Sequence, residues 1–202
     1  MIGTSINQVP FVQNDGLKMT ISFNENIITE ADGQKTYEYE TAVLDVTNDF
    51  ATVRDAIIAQ CDVTSKKARE IARQALGVEP TLDEAKEEKL EDITDYDKSS
   101  AVNEFTLAGN PMWLPLEERK SMRQSLIALK AEGIETFTYW LGLTPITMPV
   151  AQFEAMLNAV EIYALQCFNV TAQHKANIMA LTTLAEVSAY DFTVGYPEKL
   201  EF

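Results

Sequence analysis

The sequence holds one histidine, two cysteines and eight scattered glycines, and each shortage removes a familiar chemistry. With His174 alone, a zinc or iron site has no second imidazole. Its neighbours at helical spacing, Val170, Thr171, Asn177 and Ile178, supply no further ligand. A Ser-His-Asp or Cys-His pair would need that same histidine, and its polar flanks predict a surface or capping role. Cys61 and Cys167 are too few for a disulfide framework and lack metal-site spacing. Two free, buried thiols and synthesis in a reducing cytoplasm are therefore expected. Cys167 lies on an apolar stripe, which predicts packing rather than activated nucleophilicity. Gly133, Gly142 and Gly195 stand singly at turns, and neither a phosphate-loop nor a dinucleotide glycine pattern occurs. No apolar run approaches the roughly 18 residues of a membrane span. Residues 1–16 lack the basic and apolar regions of a secretory signal. No internal repeat, coiled-coil heptad or low-complexity tract stands out.

Cations are also scarce. Sixteen Lys and Arg face 31 Asp and Glu, a formal charge of −15 that disfavours a nucleic-acid partner, because phosphate affinity rests on cations releasing counterions. Nearly half of that charge is local: nine acids lie between Glu79 and Asp97 against Lys86 and Lys89. Carboxylates are plentiful enough for an acid–base pair, but most of them fall in this stretch, where a solvated charge run is the simpler expectation.

What is present is the composition of a globular protein, 46% hydrophobic and 23% charged over 202 residues. Met19, Ile21 and Phe23 alternate with polar residues, and Tyr37, Tyr39, Thr41 and Val43 repeat that period beyond Ala31-Asp32-Gly33-Gln34. This predicts a β-hairpin. Two helices should follow, one from about Asp49 and one capped by Thr64 or Ser65 and stopped by Gly77. Further on, the sequence predicts hairpins around Ala108-Gly109-Asn110-Pro111 and Gly142-Leu143, and a helix from Pro115 to Glu132. A second helix should start at Pro149 with Phe153, Met156, Leu157, Val160, Tyr163 and Cys167 on its apolar face. Thr171 is expected to cap a further helix, and Thr183 a short one. The expected architecture is α+β: an N-terminal β-hairpin with two helices, an acidic linker, and a C-terminal module of two hairpins and three to four helices. The boundaries are a flexible arm over 1–16, an α+β module over 17–78, the linker over 79–98 and a second α+β module over 99–202.

Aromatic residues offer the strongest binding signal. Val9, Pro10 and Phe11 form the one apolar cluster of the expected arm. Trp113, Trp140, Phe192, Tyr196, Pro197 and Phe202 are the other partner-binding candidates, since Trp and Tyr serve both cores and interfaces. No catalytic, cofactor or metal residue is assigned.

Several strings in the second half carry a resemblance. Ala101–Phe105 with Pro111–Leu114, Glu161–Ala164 with Cys167–Lys175, and the ending Tyr190–Leu200 resemble a family of phage proteins, in the form carried by phages and prophages of gut Bacteroidales. The likeness covers about residues 99–202. It implies a non-enzymatic virion structural protein, made in the host cytoplasm and encoded near tail-fibre genes. Such a protein would act as a tail or fibre adaptor whose partners are other phage structural proteins or further copies of itself, with neither nucleic acid nor membrane. An assembly chaperone absent from the mature particle and a carboxylate-dependent hydrolase are the alternatives.

Overall fold

The computed structural model describes residues 1–202 as an α+β protein of two compact units, 1–81 and 82–202. In the first, β1 (Ile2–Ser5), β2 (Val12–Asn14), β3 (Lys18–Thr29) and β4 (Lys35–Asp45) form an antiparallel sheet in the order β1-β4-β3-β2. The β3–β4 hairpin closes at Gly33, whose φ of 84° is strained for any residue with a Cβ. Alternation sets Met19, Ile21 and Phe23 of β3 beside Ala42 and Leu44 of β4 in the core. Helices α1 (Phe50–Gln60) and α2 (Ser65–Leu76) cover that layer with Val53, Ile57, Ala68, Ile71 and Ala72. Asp49 caps α1 by accepting from the Thr52 amide at 2.8 Å, and Thr64 caps α2 through the Lys67 amide at 3.2 Å. Each cap stabilises its helix by about 1 kcal/mol. Gly77 ends α2 in the left-handed conformation.

Residues 1–16, expected as a flexible arm, are instead built into this sheet. Ile2 to Ser5 pair with β4, from Glu40 to Tyr37, and Val12 to Asn14 pair with β3. The hairpin alone would leave a row of unpaired amides and carbonyls on each outer edge, and short strands satisfy them without needing apolar side chains.

The second unit is organised around α5 (Val150–Ala180), a single helix of 31 residues. The strand pairs β5 (Phe105–Leu107) with β6 (Asn110–Met112) and β7 (Thr136–Leu141) with β8 (Thr144–Pro149) belong to it, as does α4 (Leu116–Ala131). Phe105, Leu107, Leu114, Leu126 and Met148 pack against Phe153, Met156, Leu157 and Val160 of α5. Phe137 lies flat on Phe153, with ring centroids 4.0 Å apart. Thr171 does not open a new helix. It is buried in mid-α5, with its hydroxyl donating to Asp97 at 2.6 Å. Nothing between Val150 and Ala180 breaks the helical hydrogen-bond ladder, and a lone Thr is too weak a stop to divide it.

The stretch over 79–98, expected as a linker, is also different. Leu82–Lys98 form α3, which lies within the second unit and packs on α5 and on α6 (Leu184–Ala189). Ile93 is its one fully buried side chain. The lysines add to the anchorage: Lys86 Nζ donates to the Met179 carbonyl at 3.0 Å, and Lys89 Nζ to that of Ser188 at 3.3 Å. Both carbonyls lie in final helical turns, where they have no partner within their own helix and the dipole favours a cation. No helix of the protein is long and apolar enough to cross a membrane.

Candidate functional site

Most of the aromatic candidates of the second half serve one feature, a C-terminal strap over residues 190–202. The buried face of α5 prepares its seat, because the stripe that begins at Phe153 continues through Cys167, Thr171, His174 and Ile178. His174, expected at the surface or as a cap, is 8% exposed and grips the strap from both ring nitrogens. Nε2 lies 2.9 Å from the Val194 carbonyl and Nδ1 lies 2.8 Å from the Tyr190 hydroxyl. A carbonyl only accepts, so Nε2 carries the proton, and in the neutral ring Nδ1 accepts from Tyr190. The same hydroxyl accepts from Asn177 Nδ2 at 2.9 Å, which completes the chain of donors. The signal for this burial was the 3–4 spacing from Cys167 to Thr171 to His174 to Ile178, which polar flanks obscured.

The next residues lock in by the same logic. Thr171 spends its proton on Asp97, so the Tyr196 hydroxyl, 2.9 Å away, donates to Thr171. Tyr96 of α3 meets Phe192 edge-on at 5.7 Å and Tyr196 at 5.6 Å, while Lys89 sits over the Phe192 ring. Pro197 is half-buried beside Val170. At the far end the strap pairs in parallel with β5. The Thr106 amide donates to Leu200, the Phe202 amide to Thr106 and the Ala108 amide to Phe202, each at 2.9 Å. Phe202 meets Phe105 edge-on at 5.7 Å. Phe192, Tyr196, Pro197 and Phe202 therefore dock on their own unit.

Trp113 is also committed inward. It packs between Phe105 and Tyr163 and lies under the Arg119 guanidinium, which donates to Glu161 at 2.8 Å and to the Leu114 carbonyl at 2.6 Å. Burial, reinforced by the negative charge of Asp97, raises the Cys167 pKa and keeps its thiol protonated. Burial likewise raises the pKa of Tyr163, whose hydroxyl donates to the Val102 carbonyl at 2.8 Å. The Tyr163 hydroxyl and the Cys167 thiol are thus held neutral and occupied with packing. No group of three or more His, Cys, Asp or Glu side chains converges as a metal site.

In the first unit, Phe11 packs on the core and its carbonyl accepts from the Ser22 amide at 2.8 Å. Val9 is half-buried and Pro10 exposed. Val9 and Phe11 line a shallow groove with Ile71, beside the buried Ser22 hydroxyl.

Trp140 is the most exposed of the aromatic candidates. The β7–β8 register sets Trp140 opposite Pro145 and Thr138 opposite Thr147, whose hydroxyls lie 2.8 Å apart. Phe137, Tyr139, Ile146 and Met148 point the other way, into the core. The outer face therefore holds Thr138, Trp140, Pro145 and Thr147 without a single charge, and the turn adds Leu143. Trp140 is 61% exposed and Leu143 95% exposed. Leu143 was not singled out from the sequence, although its place beside the turn glycine marks it as a tip residue. Also unanticipated is an exposed apolar face on α5 that includes Ile162, Leu165 and Phe168.

Neither a curated protein nor a solved structure matches the chain. One family model does, over residues 84–194, starting inside α3 and ending inside the strap. That match takes in more than half of the sequence, and the chain belongs to the DUF4376 family, a domain of unknown function.

Proposed function

We propose that the protein is a non-enzymatic structural component of a tailed bacteriophage virion, a tail- or fibre-associated adaptor that presents the β7–β8 hairpin to a neighbouring virion protein. The resemblance of residues 99–202 to phage proteins encoded near tail-fibre genes supports the setting. The observation that carries the adaptor role is the hairpin's outer face. In a chain of net charge −15, it offers an uncharged surface with an exposed Trp140 and an almost wholly exposed Leu143. Interfaces draw much of their energy from a few such aromatic anchors, and charge is depleted at their centres. The remaining acidic surface opposes non-specific association of unassembled copies.

Quantitative mass spectrometry of gradient-purified particles tests the reading, with this chain measured against the major capsid protein. A fixed copy number that falls sharply when Trp140→Ser and Leu143→Ser are combined supports the adaptor. Abundance in the infected-cell lysate with absence from particles would replace it with an assembly chaperone that leaves before maturation.

A further inference from the structure

The outer face of α5 has a pattern that its buried face conceals in the sequence. Starting at Ala151, exposed residues recur at intervals of four and three: Ala155, Asn158, Ile162, then Leu165, Asn169, Ala172 and Ala176. This alternation averages 3.5 residues and produces a straight seam along which a second helix can pack. Every position in it is exposed, and Ile162 and Leu165 at its centre are 58% and 60% exposed.

The seam is also a palindrome. Reading outward from a point between residues 163 and 164, Ile162 mirrors Leu165 and Asn158 mirrors Asn169. Further out, Ala155 mirrors Ala172 and Ala151 mirrors Ala176. A two-fold axis through that point lays α5 antiparallel on α5 of another copy, and each layer then meets its own kind: branched aliphatic on branched aliphatic, amide on amide, methyl on methyl. A two-fold interface must be self-complementary in this sense. We infer that this face of α5 is a homodimer interface, occupied by α5 of a second copy in the antiparallel register centred between residues 163 and 164.

Electrostatics select the same occupant. The chain is strongly acidic, so two copies approach only where like charges do not meet. The seam has none, and on one flank Ala159, Gln166 and Gln173 are also uncharged. On the other flank Glu154 and Glu161 are already paired with Lys130 and Arg119. In the antiparallel register Glu154 comes beside Lys175 of the second copy, adding two symmetry-related opposite-charge contacts. The amide layer fits as well. Arg123 donates to Asn158 Oδ1 at 3.0 Å, which leaves the Asn158 amino group to donate to Asn169 Oδ1 of the second copy. A paired polar layer of this kind specifies register at some cost in affinity. The strip from Ala151 to Ala176 is about 40 Å long and about 10 Å wide, so a pair buries about 800 Å² in total, below the standard specific interface and in the range of weak, transient contacts. The dimer is therefore weak and reversible. The inference rests on α5 alone and does not depend on the virion reading.

Sedimentation equilibrium of the full chain up to about 1 mM, the Kd range of a weak dimer, is the first test. The weight-average mass should climb from 22.6 kDa toward twice that value. Ile162→Glu should hold the mass at the monomer value throughout, with an unchanged melting curve because the side chain is exposed. Glu154→Lys and Lys175→Glu should each weaken association severalfold, and the double exchange should recover it. In a Cys61→Ser background, oxidation of mixed Ala155→Cys and Ala172→Cys chains should yield a linked dimer, whereas neither variant alone should. A constant 22.6 kDa for the unsubstituted chain, or association indifferent to Ile162→Glu, would overturn the interface. Self-linking of Ala155→Cys would overturn the antiparallel register.

Discussion

Strand β1 and the C-terminal strap are both short extended segments added to the edge of a hairpin, yet they are held by different physics. The β1 strand relies on its backbone ladder with β4, and its one large side chain, Ile2, is 78% exposed. The strap makes only a few backbone bonds to β5 but commits Tyr190, Phe192 and Tyr196 to named partners on α3 and α5. A ladder alone tolerates almost any side chain, because it reads only amides and carbonyls. Side-chain anchorage fixes one register and fails when a single partner is lost. The strap should therefore be sensitive to substitution and β1 nearly indifferent at its exposed positions, Gly3 excepted because a Cβ there would lie 3.0 Å from the Tyr39 ring.

The largest effect is expected at the strap's central clamp. His174→Ala removes the donor to the Val194 carbonyl and the acceptor of the Tyr190 hydroxyl, leaving the latter only Asn177, and should destabilise the second unit by about 1–3 kcal/mol, the cost of losing a buried hydrogen-bonding side chain. Urea denaturation with amide hydrogen exchange over residues 190–202 measures both the loss and its location. If the strap stays protected, side-chain anchorage is not what holds it.

Next comes Tyr196→Phe, which keeps both ring contacts and removes one hydroxyl. A loss of about 1 kcal/mol is expected, read as a shift in the denaturation midpoint. A loss as large as that of His174→Ala would mean that the Thr171–Asp97 pair depends on Tyr196.

Acid offers a perturbation that should not discriminate between the two regions. In the strap, the Thr193 hydroxyl and then its amide lower the Asp191 pKa below its ordinary 3.8. In the turn that leads from β2 into β3, the amides of Lys18 and then Leu17 do the same for Asp15. A carboxylate depressed by folding contributes stability that is complete above its unfolded pKa and is lost as pH falls through the folded value. Both turns should hold down to about pH 4 and loosen together below it, as followed by NMR chemical shifts of Asp15 and Asp191. Titration of either group at or above its ordinary value would contradict the hydrogen bonds assigned here.

The smallest effect is expected at β1. Ile2→Ser should change stability by no more than about 0.5 kcal/mol, as for other exposed positions. A larger destabilisation in the denaturation curve would show that β1 is anchored by its side chains after all.

The same contrast explains what could be read in the sequence. A role that depends on neighbours along the chain is legible locally: alternation marks β3 and β4, the turn at Gly142-Leu143 marks the β7–β8 hairpin, and Asp49, Thr64 or Ser65, and Gly77 mark helix ends. Where the role depended on a distant partner, local pattern misled. Helix α3 looked like solvated charge because its anchors, Lys86 and Lys89, act on carbonyls roughly a hundred residues away. His174 looked exposed because its partners lie 16 and 20 residues later. The candidate binding residues divided along the same line. Trp140 faces outward in a hairpin whose turn is visible in the sequence, whereas Phe192, Tyr196 and Phe202 dock on their own unit through contacts that no local window contains.

The pairing of Phe202 with Thr106 has a consequence for biosynthesis. As the chain emerges from the ribosome, β5 and the Phe105 ring are made well before the strand that flanks them, so nearly a hundred residues must follow before that edge is closed. Contacts so distant in sequence are slow to form, and an unpaired strand edge is open to other chains in the meantime. The second unit therefore completes its fold only after synthesis of the segment has ended, and a ribosome stalled shortly before residue 202 should display an open strand edge that the finished protein conceals.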